Sequence, residues 1–325
     1  MQNKLKEFSK WMRDSGLSSK IPSDIDKLKN LSVLDLTKSK IRELPETISS
    51  LSNLTVLKIS GNRLKKLPQG MGELKKLRNM QCENNLIEEL PSSIGMLDSL
   101  VILNLNGNRL TQLPDEFYNL TKLTRLTIAA NSLTSISPKL QNLRSLLYFS
   151  LDTNKLDELP EVFANMSSLY YLDLSYNNFS KLPASISEIQ ELETLLLEGN
   201  EITDLPSLEA HDMLIKLNLN DNKLNKINFD ISKLEDLQLL SLDNNELKYL
   251  PDNICKLKKL NYLSVSSNQL RELPKDIGNL ENLLELDIDE NNISKFPESF
   301  SKLKKLKNLY IEDNDGLEKP DLNSL

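Results

Sequence analysis

Leucines recur along the chain in a short pattern that repeats every 23 residues. In a typical repeat Leu100 is followed by Leu103 and Leu105, and Asn108 closes the run. The Leu-x-Leu alternation has a period of two, which predicts a short strand whose leucines point to one face. The Leu-Pro pair and the Ile-x-x-Leu spacing after the asparagine predict a return through a short helix or 3-10 turn.

The pattern continues over thirteen segments. They begin at Leu31, Leu54, Leu77, Leu100, Leu123, Leu146, Leu169, Leu192, Leu214, Leu237, Leu260, Leu283 and Leu306. Every step is 23 residues except the one from Leu192 to Leu214, which is 22. An asparagine closes every segment but the first, where Ser39 stands. This periodicity indicates a solenoid, because each repeat can bury its leucines only against its neighbours.

The consensus LxxLxLxxNxLxxLPxxIxxLxx resembles the leucine-rich repeat family in its 23-residue LPxxI form, over residues 31–316. The resemblance implies a curved α/β solenoid. In this horseshoe, thirteen parallel short strands line the concave face and short helical or 3-10 turns form the convex face. The chain is similar to leptospiral repeat proteins of bacteria, plant intracellular Ras-group repeat proteins and Ras-pathway scaffolds. The resemblance implies non-catalytic binding of a protein or peptide, without a cofactor.

The ends of the chain differ from the repeats. Residues 1–30 are expected to form an N-terminal helical cap and half a repeat, and residues 31–325 the repeat domain. An apolar stripe at spacings of three and four predicts a capping helix that Gly16 ends. The stripe consists of Leu5, Phe8, Trp11 and Met12. After Pro320 no cap is visible, so the tail folds back, the chain is a fragment, or this edge meets another chain.

Composition excludes several classes of partner and compartment. The formal net charge of −7 argues against nucleic acid, since phosphate binding needs a surplus of Lys and Arg. No apolar run is long enough to predict a membrane span, and no signal peptide is visible. Two cysteines, Cys82 and Cys255, cannot form a disulfide framework. We therefore expect a cytoplasmic protein, with an effector secreted without a signal peptide as the alternative.

Residues that could carry chemistry are few. The single histidine, His211, lies at the shortened junction between repeats, where an irregular outer turn explains it. Cys82 occupies a leucine position and is expected to be buried and inert, whereas Cys255 is expected to be a lone thiol on the outer side. A calcium-loop spacing runs from Asp287 to Glu298, but the repeat pattern already accounts for it. No catalytic residue and no metal site are predicted.

The surface that is free to vary is the concave face, onto which repeat positions 3, 5, 7 and 8 should point. Tyr148, Tyr171 and Tyr176 are expected to lie close together there. In repeats 6 to 13 these positions hold eleven acidic residues, opposed only by Lys216. Tyrosine anchors and an acidic field fit a basic protein or peptide. The predicted binding residues are Tyr148, Asp152, Tyr171, Asp173, Tyr176, Leu196, Glu198, Lys216, Leu239, Asp243, Tyr262, Asp287 and Asp289.

Two other functions are open at this point. The chain could be the substrate-recognition part of a larger effector or enzyme, such as a ubiquitin-ligase-type protein, in which case it would be a fragment. A monomer is expected, and self-association through the C-terminal edge is the third hypothesis.

Overall fold

The computed structural model describes residues 2–318 and 320, and within them thirteen short strands run parallel. The chain forms two compact units, Met1–Leu156 and Asp157–Leu325. The strands of the first unit are β1 (Val33–Asp35), β2 (Val56–Lys58), β3 (Asn79–Gln81), β4 (Ile102–Asn104), β5 (Arg125–Thr127) and β6 (Tyr148–Ser150). Those of the second are β7 (Tyr171–Asp173), β8 (Thr194–Leu196), β9 (Lys216–Asn218), β10 (Leu239–Ser241), β11 (Tyr262–Ser264), β12 (Glu285–Asp287) and β13 (Asn308–Tyr310). Within each unit, strands pair in sequence order, which confirms the predicted α/β solenoid.

Short 3-10 helices form most of the returns between strands. In the first unit they are Glu46–Ser50, Gln69–Glu73, Ser92–Met96, Asp115–Asn119 and Pro138–Asn142, and a further 3-10 helix, Ser18–Lys20, precedes the first strand. In the second unit they are Phe163–Asn165, Ala184–Glu188, Ile231–Lys233, Asp252–Lys256, Ile277–Asn279 and Glu298–Lys302. Prolines commonly stand just before them with φ near −70°, as Pro297 does. A proline fits there because the backbone nitrogen at this position does not have to donate a hydrogen bond. The return between β8 and β9 consists of turns.

Leucines fill the interior as the pattern predicts. In β12 the middle residue Leu286 is fully buried, whereas Glu285 and Asp287 on either side are half-buried. Leu283 before the strand and Ile288 after it are also fully buried. Each such side chain contributes about 1.5–3 kcal/mol when it leaves water. Because the neighbouring repeats supply the contacts, this stabilisation exists only in the stack.

Within each unit, the closing asparagines tie a repeat to the one before it. The Asn245 amide nitrogen donates to the carbonyl oxygens of Leu219 (2.9 Å) and Leu242 (3.1 Å). Its amide oxygen accepts from the backbone N–H of Leu224 at 3.0 Å. The side chain therefore satisfies buried backbone groups of two repeats. The first repeat can use Ser39 because no repeat precedes it to receive these bonds.

The residue before the closing asparagine adopts a left-handed conformation in every repeat, with φ between +49° and +67°. These position-8 residues are Lys38, Gly61, Asn84, Gly107, Ala130 and Thr153 in the first unit and Tyr176, Gly199, Asp221, Asn244, Ser267, Glu290 and Asp313 in the second. Left-handed φ is unfavourable for residues other than glycine. The turn that ends each strand therefore constrains the backbone of the position-8 residue, and with it the direction of that residue's side chain.

Two helices cover the start of the first unit. Helix α1 (Gln2–Asp14) buries Leu5, Phe8 and Met12 and packs against the 3-10 helix Glu46–Ser50. Helix α2 (Ile25–Lys29) is preceded by the capping residue Asp24, whose carboxylate accepts from the backbone N–H groups of Asp26 and Lys27. The predicted apolar stripe is confirmed, although Trp11 is only half-buried, with its ring centroid 5.8 Å from that of Phe8.

Gly16 ends α1 as predicted. It has a φ of +71°, and its N–H donates to the Arg13 carbonyl oxygen at 2.9 Å. The N–H of Leu17 reaches back to the Met12 carbonyl oxygen at 2.7 Å. This pair of bonds is the Schellman motif, in which glycine supplies the left-handed residue.

Both cysteines are buried. Burial raises the pKa of Cys82 well above its ordinary value and that of Cys255 to about 11. Cys82 lies in the leucine core as predicted. Cys255 was expected to be a lone thiol on the outer side, and the sequence did not predict that it is buried. It lies in the 3-10 helix Asp252–Lys256 with its side chain turned inward. In the described part of the chain, no helix combines the length and apolarity needed to cross a membrane. The question of how the tail after Pro320 folds lies outside the described residues.

We predict that replacing Asn245 by Ala lowers the free energy of unfolding by about 1–3 kcal/mol, because buried backbone groups lose their partners. Chemical denaturation measures the change. Asn282→Ala is the control, since the Asn282 side chain bonds the Lys258 carbonyl oxygen at the exposed surface. Equal midpoints for the two variants would contradict the role of the closing asparagines.

Candidate functional site

The open strand face is the side of each sheet opposite the leucine core, formed by repeat positions 3, 5, 7 and 8. In the second unit, position 3 aligns Tyr171, Thr194, Lys216, Leu239, Tyr262, Glu285 and Asn308 across the strands. Position 5 aligns Asp173, Leu196, Asn218, Ser241, Ser264, Asp287 and Tyr310. Leu196, Lys216, Leu239 and Tyr262, all predicted binding residues, are half-buried on this face.

Four carboxylates of the second unit form an acidic group: Asp243, Glu285, Asp287 and Asp289. Burial, together with the negative charges of the other three, raises the pKa of Asp287 to about 6. Burial is also the largest cause that raises the pKa of Asp243 and of Asp289. The predicted acidic strip is thus a place where like charges act on one another in a partly dry environment.

Backbone and hydroxyl donors hold the acidic group in place. The Ser264 hydroxyl donates to the Asp243 carboxylate, which also accepts from the Ser266 N–H at 2.8 Å. The Asp287 carboxylate accepts from the Asp289 N–H at 3.0 Å. The two bonds to Asp243 cross from one repeat to the next, whereas the bond to Asp287 lies within its own repeat. They partly offset the effect of burial on the pKa values.

The calcium-like run falls within this region. Asn291 is a closing asparagine whose amide donates to the carbonyl oxygens of Val265 and Ile288. Glu298 lies in the 3-10 helix that follows. Among residues 2–318 and 320, no three or more His, Cys, Asp or Glu side chains are grouped so that they could hold a metal ion.

Tyr176 and Tyr310 are the exposed tyrosines of this face in the second unit, and half of the Tyr176 surface is accessible. The Tyr176 hydroxyl donates to the Glu198 carboxylate, which also accepts from the Asn218 amide at 2.8 Å. The hydrogen bond to Glu198 is the largest cause that raises the pKa of Tyr176 to about 12. Beneath the ring lies Gly199, where an added Cβ would stand only 2.5 Å from the ring atom Cδ1.

The other two tyrosines have different surroundings. Tyr148 is half-buried, and the guanidinium carbon of Arg125 lies 3.7 Å from its ring centroid. The Tyr171 hydroxyl lies 3.4 Å from the Asp173 carboxylate. Tyr148 belongs to the first unit, so its proximity to Tyr171 stays a prediction. In the first unit the Asp152 carboxylate accepts from the Ser150 hydroxyl at 2.6 Å.

Sequence reasoning missed Gly199 and Asn218 as parts of the site. A signal for Gly199 was present, since glycine stands at position 8 in the repeat after Tyr176. The same relation places Gly61 against Lys38 and Gly107 against Asn84. Glycine in one repeat therefore makes room for a side chain of the repeat before it.

His211 is a structural residue of the shortened repeat. It is fully buried, and its two ring nitrogens lie 3.1 Å from the carbonyl oxygens of Leu208 and Ile186. Burial is the main cause that lowers the pKa of His211. The ring links the irregular turn to the 3-10 helix Ala184–Glu188, in agreement with the interpretation of an outer turn.

Comparison with known proteins identifies the family. A model described as leucine-rich repeat region matches residues 11–86 and 253–325, and a second leucine-rich repeat model matches residues 75–133, 98–156 and 159–202. A solved leucine-rich repeat protein of Leptospira interrogans is 31% identical with a TM-score of 0.77, and the alignment covers 92% of this chain and 88% of that one. The chain therefore belongs to the leucine-rich repeat family. No curated protein matches it.

Two further structures are complexes with a second protein. One is the leucine-rich repeat ectodomain of the Arabidopsis thaliana receptor kinase GASSHO1/SCHENGEN3 with CASPARIAN STRIP INTEGRITY FACTOR 2 (27% identity, TM-score 0.52, covering 94% of this chain and 47% of that one). The other is the Drosophila Toll–Spatzle complex (24% identity, TM-score 0.76, covering 87% of this chain and 42% of that one). At this identity the similarity shows the fold alone. The chain spans less than half of either matched chain. Leucine-rich repeats are in general protein-interaction modules.

We predict that Asp287→Asn raises the denaturation midpoint, and that the gain depends on pH. The pKa of Asp287 is above its ordinary value of 3.8, so ionisation of this carboxyl disfavours the folded state. The gain over the parent chain should be small near pH 3.8, grow as the pH rises, and level off above about pH 6. Asparagine can still accept the Asp289 N–H.

Asp236→Asn is the matched control, since the Asp236 carboxylate pairs with the Lys259 ammonium at 2.5 Å. It should give no gain. If the midpoint of Asp287→Asn differed from that of the parent by the same amount at every pH, the repulsion within the acidic group would be disproved.

Proposed function

We propose that the chain is a non-catalytic recognition module that binds a basic segment of a partner protein on the open strand face of its second unit. The observation that carries the proposal is the acidic group itself, four carboxylates on a face where Lys216 is the basic residue of the second unit. Burial, and then the charges of the other three carboxylates, raises the pKa of Asp287. A cationic segment lying over this face would replace repulsion by attraction. Complementary charge also speeds encounter and selects the partner.

The distribution of salt bridges supports this proposal. In the second unit Lys223 pairs with Glu201, Lys258 with Glu281 and Lys259 with Asp236. All of these pairs lie outside positions 3, 5, 7 and 8. At those positions Lys216 is the basic residue of the second unit. The charge of the open strand face is therefore available to a partner.

The complexes formed by related proteins support the general class of function. The plant receptor ectodomain was solved with a separate protein factor, and its 27% identity spans nearly all of this chain. That partner is a property of the plant protein. For this chain, the chemistry of the partner is inferred from the acidic group alone.

The test uses a fluorescent peptide of alternating arginine and glycine, and anisotropy measures its affinity. In the variant Asp243→Asn, Asp287→Asn, Asp289→Asn we expect a loss of about tenfold. Three screened charge contacts of about 0.5 kcal/mol each sum to about 1.5 kcal/mol, and about 1.4 kcal/mol is a tenfold change in affinity. Binding to the parent should weaken as the pH falls through about 6, since protonation removes the Asp287 charge that the peptide favours.

A second triple variant controls for net charge. Glu201→Gln, Asp236→Asn and Glu281→Gln remove three charges away from the face, and we expect little change in affinity. Equal losses in both triple variants would contradict the proposal, because the peptide would then respond only to overall charge. Absence of binding to the parent chain would also contradict it.

A further inference from the structure

Tyr176 is held in a conformation that a bulky residue rarely adopts. Its φ is +52°, in the left-handed region. Such outliers persist only where the surroundings fix them. Here the Tyr176 N–H donates to the Glu198 carbonyl oxygen at 2.6 Å, and Asn177 after it is a closing asparagine. The backbone that carries the ring is therefore set by the stack.

The ring itself is fixed from two sides. The side of the ring that carries Cδ1 and Cε1 lies against Gly199, which has no side chain. The hydroxyl is bound to Glu198, and the Asn218 amide holds that carboxylate in turn. An immobilised aromatic side chain loses little entropy when a partner binds. The exposed half of Tyr176 is thus a prepared contact surface.

The surroundings of the exposed face are negative. Glu198, Asp221 and Asp173 all act on the Tyr176 hydroxyl through their charge. Positions 7 and 8 of the second unit contain no lysine or arginine, and they hold seven carboxylates. These are Glu198, Asp221, Asp243, Asp289, Glu290, Glu312 and Asp313. A neutral or anionic partner group gains nothing from such a field.

The chain also contains an example of the group that fits such a ring. In the first unit the Arg125 guanidinium covers Tyr148 at 3.7 Å from the ring centroid. A guanidinium is planar, stacks on aromatic faces and binds carboxylates through several N–H groups, whereas an ammonium is a compact, strongly hydrated charge.

We propose that Tyr176 is an arginine-binding site for the partner, in which a guanidinium stacks on the exposed face of the ring and donates to Glu198 and Asp221. This inference rests on the proposed function and deepens it, because it names the side chain that the partner must present. It separates arginine from lysine, which the acidic group alone does not.

The test compares the arginine–glycine peptide with a lysine–glycine peptide of the same length and charge. The parent should bind the arginine peptide about two- to fivefold more tightly, as expected for one exposed stacking contact. Tyr176→Ala should abolish this preference. Ala130 already occupies position 8 with a φ of +51°, so the repeat accommodates alanine there.

Gly199→Ala tests the position of the ring without removing it. The new methyl group overlaps the ring, so the tyrosine must move. The ratio of the affinities for the arginine and lysine peptides should then fall to about one. Gly107→Ala is the matched control, since Gly107 has a φ of +63° and carries the same backbone penalty but lies under Asn84. It should keep the preference for arginine.

The outcomes separate this inference from the proposed function. Equal binding of the two peptides by the parent, or an unchanged preference in Tyr176→Ala and Gly199→Ala, would overturn the arginine site. If the acidic-group triple variant still lost affinity for both peptides equally, the proposed function would stand without the arginine site. If neither peptide bound the parent, both would fail.

Discussion

A strand of three residues cannot bury its own leucines, and it cannot satisfy the backbone groups where it ends. Both requirements are met by the neighbouring repeats. Leu240 is paired with Leu217 on one side and Leu263 on the other, and all three are fully buried. The Asn245 side chain satisfies carbonyl and amide groups of its own repeat and of the one before. The free energy of unfolding therefore rises with each stacked repeat, while the open strand face adds little to it.

The parts of the fold that depend on one residue type at one position were predictable from the sequence. Alternating leucines gave the strands, and the proline before each short apolar spacing gave the 3-10 returns. The left-handed residue at position 8 was not predicted. Gly61 and Gly107 suggest it, but Lys38, Tyr176 and Glu290 adopt the same φ and conceal the pattern. Lys38 adopts this φ although Ser39 follows it, so the turn does not depend on the closing asparagine, and the residue type at position 8 is only a weak signal.

The candidate site was predictable as a set of residues but not as an arrangement. Their repeat positions, 7 and 5, placed Asp243 and Asp287 on one face, and the number of strands between them followed from the 23-residue period. The pKa of Asp287 depends on burial and on charges that include Asp243 of another repeat, so no single-repeat pattern contains it. The sequence predicted Tyr148 and Tyr176 to lie close together on one face. Their neighbours, Arg125 over one ring and Gly199 under the other, make them different.

The constraint at position 8 also explains where recognition can be built. A binding residue on a mobile loop must be ordered when the partner arrives, and that ordering opposes binding. At position 8 the backbone is already ordered by the stack, because its N–H is bound to the next repeat, as the Tyr176 N–H is to the Glu198 carbonyl oxygen. A strained residue such as Tyr176 therefore costs stability in the free chain and needs no further ordering in a complex. Glycine in the next repeat then decides whether a large side chain fits there, which links the choice of binding residue in one repeat to the sequence of its neighbour.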